Sequence, residues 1–195
     1  MSYQMNPSSA NCYPGTTVLV NKWNIRDEAV LHQAEAMVTL TKATELEECP
    51  LCGDFDFRHY REIHRYLFSE LYEWAGEIRT VNLSKKGTRF CPAEQINERA
   101  EQIFGRLQAE KLFREKEHGA FVSEIVDFYC LTNELHPFRE GNGRTQRAFL
   151  TQLIRNAGHD IHFADIDGDL LMIATIQAAQ GVTDLLHRIF REAIE

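Results

Sequence analysis

The sequence predicts an all-α protein, mostly helical, with one small β-hairpin, folded as a single domain over residues 1–195. Three observations lead there. The chain has 195 residues, of which 44 % are apolar, enough for one hydrophobic core and near the size at which a chain keeps to one. Apolar residues recur every three or four positions in successive stretches, the signature of helices with one buried side. Alternation with a period of two occurs in one place only, which limits the β content to a single strand pair.

The elements follow in order. After a loop through Pro14-Gly15 and a short apolar run at Val18-Leu19-Val20, Asp27 is placed to cap a helix, and Val30, Ala34, Met37 and Thr41 recur at helical spacing. This first helix runs to about residue 46. The segment "EECPLCGD" breaks it with Pro50 and Gly53. A second helix carries Tyr60, Ile63, Leu67, Leu71 and Trp74 and closes at Ala75-Gly76, where glycine accepts a left-handed cap. Over residues 78–91 the period changes: Arg79, Val81, Leu83 and Lys85 share one face, Thr80, Asn82 and Ser84 the other, with Lys85-Lys86-Gly87 as the turn. Pro92 stops the hairpin and opens a third helix with Ile96, Ala100, Ile103 and Leu107 as its buried stripe. A fourth helix buries Phe121, Ile125, Phe128, Thr132 and Leu135 and ends near His136, because Pro137 disfavours helical angles in the residue before it. The fifth starts around Gly143-Arg144, buries Ala148, Phe149, Leu150, Leu153 and Ile154, and stops at Gly158. Beyond Asp165 two further amphipathic segments follow, with Thr183 as N-cap of the last.

Composition excludes several classes of function. A net charge of -8 argues against broad binding to a nucleic-acid backbone, so no direct nucleic-acid contact is expected, although a local basic pocket for a small polyphosphate is compatible with it. No apolar run approaches the roughly 20 residues needed to cross a bilayer. The opening "MSYQMNPSSANCYPG" lacks the basic and apolar regions of a signal peptide, so a cytoplasmic location is expected. Five scattered cysteines suit a reducing compartment. Cys49 and Cys52 have the spacing of a metal knuckle, but His59 and His64 follow too soon for a usual zinc finger and fall on an amphipathic helix, so zinc is not expected.

The chemistry gathers in "LHPFREGNGRTQR", residues 135–147, between the fourth and fifth helices. Gly141, Asn142 and Gly143 leave backbone N–H groups at a helix start, where unsatisfied donors and the helix dipole attract anions. Arg144 and Arg147, three apart, can lean over the same anion, and two guanidinium groups suit a polyphosphate. Glu140 beside these donors makes sense if a divalent cation lies between carboxylate and phosphate, since magnesium takes one or two carboxylates plus substrate phosphates. His136, with a reference pKa near 6.5, can act as general base towards a hydroxyl nucleophile. Phe138 points inward and pins the loop to the core.

The stretch from His136 to Arg147 resembles the signature of the Fic family, H-P-F-x-[D/E]-G-N-G-R-x-x-R, and matches it at every specified position. The similarity extends to "YPGTTVLVNKWNIRD" from Tyr13 and "LYEWAGEIRTVNLSKKGTRFCP" from Leu71, covering about residues 13–195. The resemblance implies a mostly helical Fic fold and a protein adenylyltransferase that moves AMP from ATP to a Tyr, Thr or Ser hydroxyl of a target protein. Its implied roles are His136 as base, Glu140 as holder of Mg²⁺, Gly141, Asn142 and Gly143 as anion hole, and Arg144 and Arg147 on the phosphates. The hairpin, residues 78–91, becomes a flap that docks the target by strand addition through Asn82, Leu83, Ser84, Lys85 and Thr88, with Lys86 and Gly87 bordering the nucleotide.

Many Fic proteins carry an inhibitory helix, [S/T]-x-x-x-E-[G/N], whose glutamate pairs with the second motif arginine. Here Thr41 to Glu45 is followed by Leu46, Thr44 to Glu48 by Cys49, and Ser69 to Glu73 by Trp74, so the pattern is incomplete each time. The expectation is a small separate antitoxin that supplies the glutamate to Arg147. Two alternatives remain beside AMP transfer: another Fic-fold chemistry, such as AMP removal or transfer of a different phosphate-containing group, and a non-catalytic nucleotide-binding module. An intact G-N-G-R speaks against the phosphorylating branch, and His136 with Glu140 against the module.

Overall fold

The computed structural model describes residues 11–85 and 88–195. Lys86 and Gly87, expected beside the nucleotide, lie outside the described residues. The described residues contain seven α-helices: α1 (Glu28–Glu48), α2 (Phe57–Phe68), α3 (Ile96–Ala109), α4 (His118–Leu135), α5 (Asn142–Asn156), α6 (Gly168–Ala178) and α7 (Asp184–Ala193). Among the described residues no helix is long and apolar enough to cross a membrane.

Helix α5 packs against α1, α2 and α4, while α4 also contacts α3 and α7, so the junction between α4 and α5 lies deep in the assembly. The core fills with aromatic rings that meet both edge to face and stacked. Phe149 of α5 has Tyr60 at 5.2 Å, Phe104 at 5.7 Å and Phe128 at 5.8 Å, and Tyr60 stacks on Phe138 of the junction loop at 5.7 Å. Burying each such side chain contributes about 1.5–3 kcal/mol, so the loop is anchored by Phe138 as firmly as a helix residue is. The stripes expected for α3 and α4 are buried, and α5 buries Phe149, Leu150, Leu153 and Ile154 as expected.

Four expectations are corrected. Asp27 caps α1 by accepting from the Val30 N–H at 3.0 Å, but the helix faces the other way: Val30 and Met37 are exposed, and Leu31, Glu35, Thr39 and Leu46 are buried. The buried side of α1 carries a carboxylate and a hydroxyl that find partners on α5, so apolar spacing marks the wrong face. Helix α2 stops at Phe68, six residues before Trp74, because the Leu71 and Tyr72 N–H groups turn back onto the Phe68 carbonyl. Gly76 takes its left-handed conformation, φ 81°, in the turn that follows.

The third correction concerns the hairpin. In place of a ladder over 78–91 there are two residue pairs, Ser84 with Arg89 and Lys85 with Thr88, in strands β1 (Ser84–Lys85) and β2 (Thr88–Arg89). Beyond them the Phe90 N–H still reaches Leu83 O at 3.3 Å and the Ala93 N–H reaches Asn82 Oδ1, while the outer backbone bonds elsewhere, the Arg79 N–H to Pro137 O and the Cys91 N–H to Glu134 O. The fourth is at α7, where Thr183 occupies the N-cap position without a side-chain capping bond.

Candidate active site

His136 ends α4 in the left-handed conformation, φ 43° and ψ 58°, rather than the extended one that a following proline favours. Such backbone strain costs about 1–3 kcal/mol and persists where the surroundings over-determine it. Here its N–H donates to Thr132 O at 3.2 Å and its carbonyl accepts from Arg79 Nε at 2.7 Å. The ring is fixed on two further sides. Nδ1 lies 3.2 Å from the Asn133 carbonyl, which can only accept, so the proton is assigned to Nδ1 and Nε2 keeps a lone pair. Phe90, just past β2, stacks on the imidazole at 3.7 Å and 11°.

Arg79 joins the hairpin to this centre. Buried at 4 % exposure, its guanidinium also donates to Val81 O at 2.7 Å and Cys91 O at 2.5 Å. Burial pushes its pKa down, and the carbonyls at the C-terminal end of α4 oppose that by favouring a cation.

The loop after His136 is clamped from inside. Asn142 accepts from the Phe138 N–H and donates to the Phe138 carbonyl, both at 2.8 Å, so its side chain shapes the loop, leaving only its backbone N–H for an anion. His64 of α2, fully buried, accepts the Gly76 N–H on Nδ1 at 2.7 Å, and its Nε2 lies 3.0 Å from the Glu140 carbonyl. Gly141 has φ 80°, and a Cβ there would come within 2.2 Å of the Phe68 ring, so both conformation and space require glycine. Its N–H donates to the Glu140 carboxylate at 2.9 Å. The donors that remain for an anion are those of the first turn of α5, from Asn142 onward.

The expected residues divide around a cleft of about 500 Å³, within the range of small-molecule sites. His136, Gly143 and Arg147 line it together with Phe90, Asn133 and Gln146, and its far end is apolar, with Phe163, Leu171 and Ile176. Among the described residues no carboxylate pairs with Arg147, whose pKa is pushed down first by burial. Arg144 turns to α1, where Glu35 holds it at 2.5 Å. Glu140 offers a single carboxylate, a donor set that suits a hard cation completed by phosphates and water. Cys49 and Cys52 are exposed, and among the described residues no three His, Cys, Asp or Glu side chains gather as a metal cage. On the hairpin, Leu83 is buried, Asn82 is engaged with Ala93, and Ser84, Lys85 and Thr88 form the short ladder. Sequence reasoning passed over Glu35, Phe90 and Asn133, weighed His64 only as a zinc ligand, and placed Arg79 on a strand face.

The helix junction, the positioned imidazole and the guanidinium on one cleft are shared with a family of nucleotidyltransferases, and the relatives place this chain among those enzymes. The family model for the Fic/DOC family matches residues 54–154, and the chain belongs to that family. It is 39 % identical over 171 residues to the probable protein adenylyltransferase y4lH of Sinorhizobium fredii, covering 87 % of this chain and 88 % of that one. It is 32 % identical over 182 residues to the probable protein adenylyltransferase Fic of Escherichia coli, covering 93 % and 90 %. Among solved structures, the BepC protein of Bartonella tribocorum with bound AMPPNP superposes with a TM-score of 0.89 at 27 % identity, covering 95 % of this chain and 96 % of that one.

Proposed function

We propose that the chain transfers AMP from ATP to a Tyr, Thr or Ser hydroxyl of a target protein and releases pyrophosphate. The observation that carries this is the placement of His136, its Nδ1 held by the Asn133 carbonyl, on the same cleft as Gly143 and Arg147. His136 Nε2 takes the hydroxyl proton while the oxygen attacks the α-phosphorus. The new O–P bond forms as the bond from the α-phosphorus to the bridging oxygen breaks, and the electron pair leaves with pyrophosphate. Phe90 holds the imidazole in plane, and an aromatic face also favours the imidazolium that forms. The backbone N–H groups at the start of α5 stabilise charge on the phosphates, and Arg147 orients the terminal phosphate. The apolar end of the cleft takes the base.

Mg²⁺, when bound, neutralises phosphate charge, and Glu140 is the residue that would hold it. The hairpin docks the target through the outer edge of β1, the target chain adding as a strand. The enzyme acts in the cytoplasm, and a small antitoxin restrains it by bringing a glutamate to Arg147. Supporting that last point are the incomplete inhibitory patterns in this chain and the open guanidinium of Arg147.

Incubation with labelled ATP, Mg²⁺ and a bacterial lysate, beside His136→Ala, tests the reaction. A labelled band that carries AMP by mass spectrometry and disappears with the variant is expected. Label that persists with His136→Ala, or a mass shift other than AMP, would overturn it.

A further inference from the structure

The peptide that joins Glu140 to Gly141 lies just before α5, and its orientation decides which of its two dipoles joins the N–H groups there. In a trans peptide the C=O and the N–H point in opposite directions. Here the carbonyl lies 3.0 Å from His64 Nε2, on the side of α2, and the N–H donates to a Glu140 carboxylate oxygen at 2.9 Å. Nδ1 of the same ring accepts the Gly76 N–H at 2.7 Å, so the ring proton sits on Nε2 and is donated to the carbonyl.

Residue 141 does not enforce this orientation by itself. Glycine takes positive and negative φ about equally well, so the peptide before Gly141, now at φ 80°, could turn over at little intrinsic cost. Turned over, it would send its N–H towards His64 and its carbonyl oxygen to the side that the N–H now occupies. A partial negative charge there opposes the attraction that the first turn of α5 exerts on an anion.

The imidazole is itself held firmly enough to choose between the two orientations. His64 is fully buried in α2, and its ring stacks on Phe138 of the junction loop, whose own N–H and carbonyl are both clamped by Asn142. The turn at Gly76 fixes Nδ1. The donor is thus placed by three segments of the chain.

We propose that His64 is a positioning residue for the phosphate site: its Nε2–H holds the Glu140 carbonyl towards α2, so that an anion at the start of α5 meets N–H groups and no opposing carbonyl oxygen. The proposal rests on the nucleotide-transfer reading above. His64 touches no substrate atom and acts through the backbone alone.

Two amide side chains separate the two ring nitrogens. Glutamine can place a donor where Nε2 stands, whereas asparagine reaches only as far as Nδ1. Each variant loses one of the two bonds, so both lose stability, and comparison under conditions where both are fully folded isolates the phosphate site. In calorimetric titration with AMPPNP, in EDTA and again with saturating Mg²⁺, His64→Gln is expected to bind within about threefold of the wild type. His64→Asn is expected to bind about tenfold more weakly, the size of one hydrogen bond to a charged group, in the same order under both conditions. The Gly141 amide resonance reports the peptide directly: it should be displaced in His64→Asn and stay near its wild-type position in His64→Gln. Equal weakening in both variants, no weakening in either, or an unmoved Gly141 amide in a weakened His64→Asn would overturn the proposal. Wild-type protein that binds no AMPPNP under either condition would instead defeat the nucleotide reading. Should His64→Asn fail to fold, His64→Phe, which keeps a ring against Phe138 and lacks the donor, takes its place with the same outcomes.

Discussion

His64 shows how far a single side chain can be committed. Its ring lies between Phe138 at 3.8 Å and Phe68 at 4.7 Å, and burial pushes its pKa down to about 3 against an ordinary value of 6.5. The folded protein therefore holds a neutral imidazole where the unfolded chain would bind a proton below pH 6.5. Stability from this group is fully present above the unfolded value and declines as pH falls towards the folded one. The slope is about 1.4 kcal/mol per pH unit between about pH 6 and 4, measured by urea denaturation against His64→Gln. Parallel pH profiles for the two proteins would refute it. Gly141→Ala, which drives a methyl into Phe68, should cost at least about 2–3 kcal/mol in the same assay. At this scale the sequence is unevenly legible. His136, Glu140 and Arg147 stand close together in the chain, at the end of α4, in the junction and in the first turns of α5, so the sequence alone could single them out as candidates. Glu35 meets Arg144 across 109 positions, His64 meets Glu140 across 76 and Arg79 meets His136 across 57, and no local spacing encodes such pairs.

Helices α3, α4 and α5 were readable from periodicity because each buries an apolar stripe, whereas α1 buries polar groups towards the site and exposes apolar ones. Its two faces make opposite predictions. Leu46→Ala should cost about 2–4 kcal/mol, while Met37→Gln should stay within about 0.5 kcal/mol, both by denaturant unfolding. The reverse order would restore the face that periodicity suggests. Removing the cap with Asp27→Ala should cost about 1 kcal/mol. The hairpin was misjudged in length for a related reason: alternation records which side chains share a face but not where the backbone N–H groups go, and here the flanks bond to the α4–α5 junction.

At the scale of the whole molecule, one core holds the cleft, and regulation has to reach it from outside if the proposed antitoxin is correct. Expression of the chain alone should slow bacterial growth, and His136→Ala should restore it; full growth with active wild-type protein would remove the toxin reading. Arg79 gives the fold a further property. Because one guanidinium gathers carbonyls from before β1, after β2 and the end of α4, the hairpin is not an interchangeable module. A chimera that imports a relative's hairpin tip over residues 83–89 leaves that guanidinium, its carbonyl partners and the Phe90 ring on His136 native, so the proposed docking edge can be exchanged while the imidazole stays in place. A graft whose boundaries remove Arg79 would carry the new specificity into an enzyme whose histidine has lost its anchor.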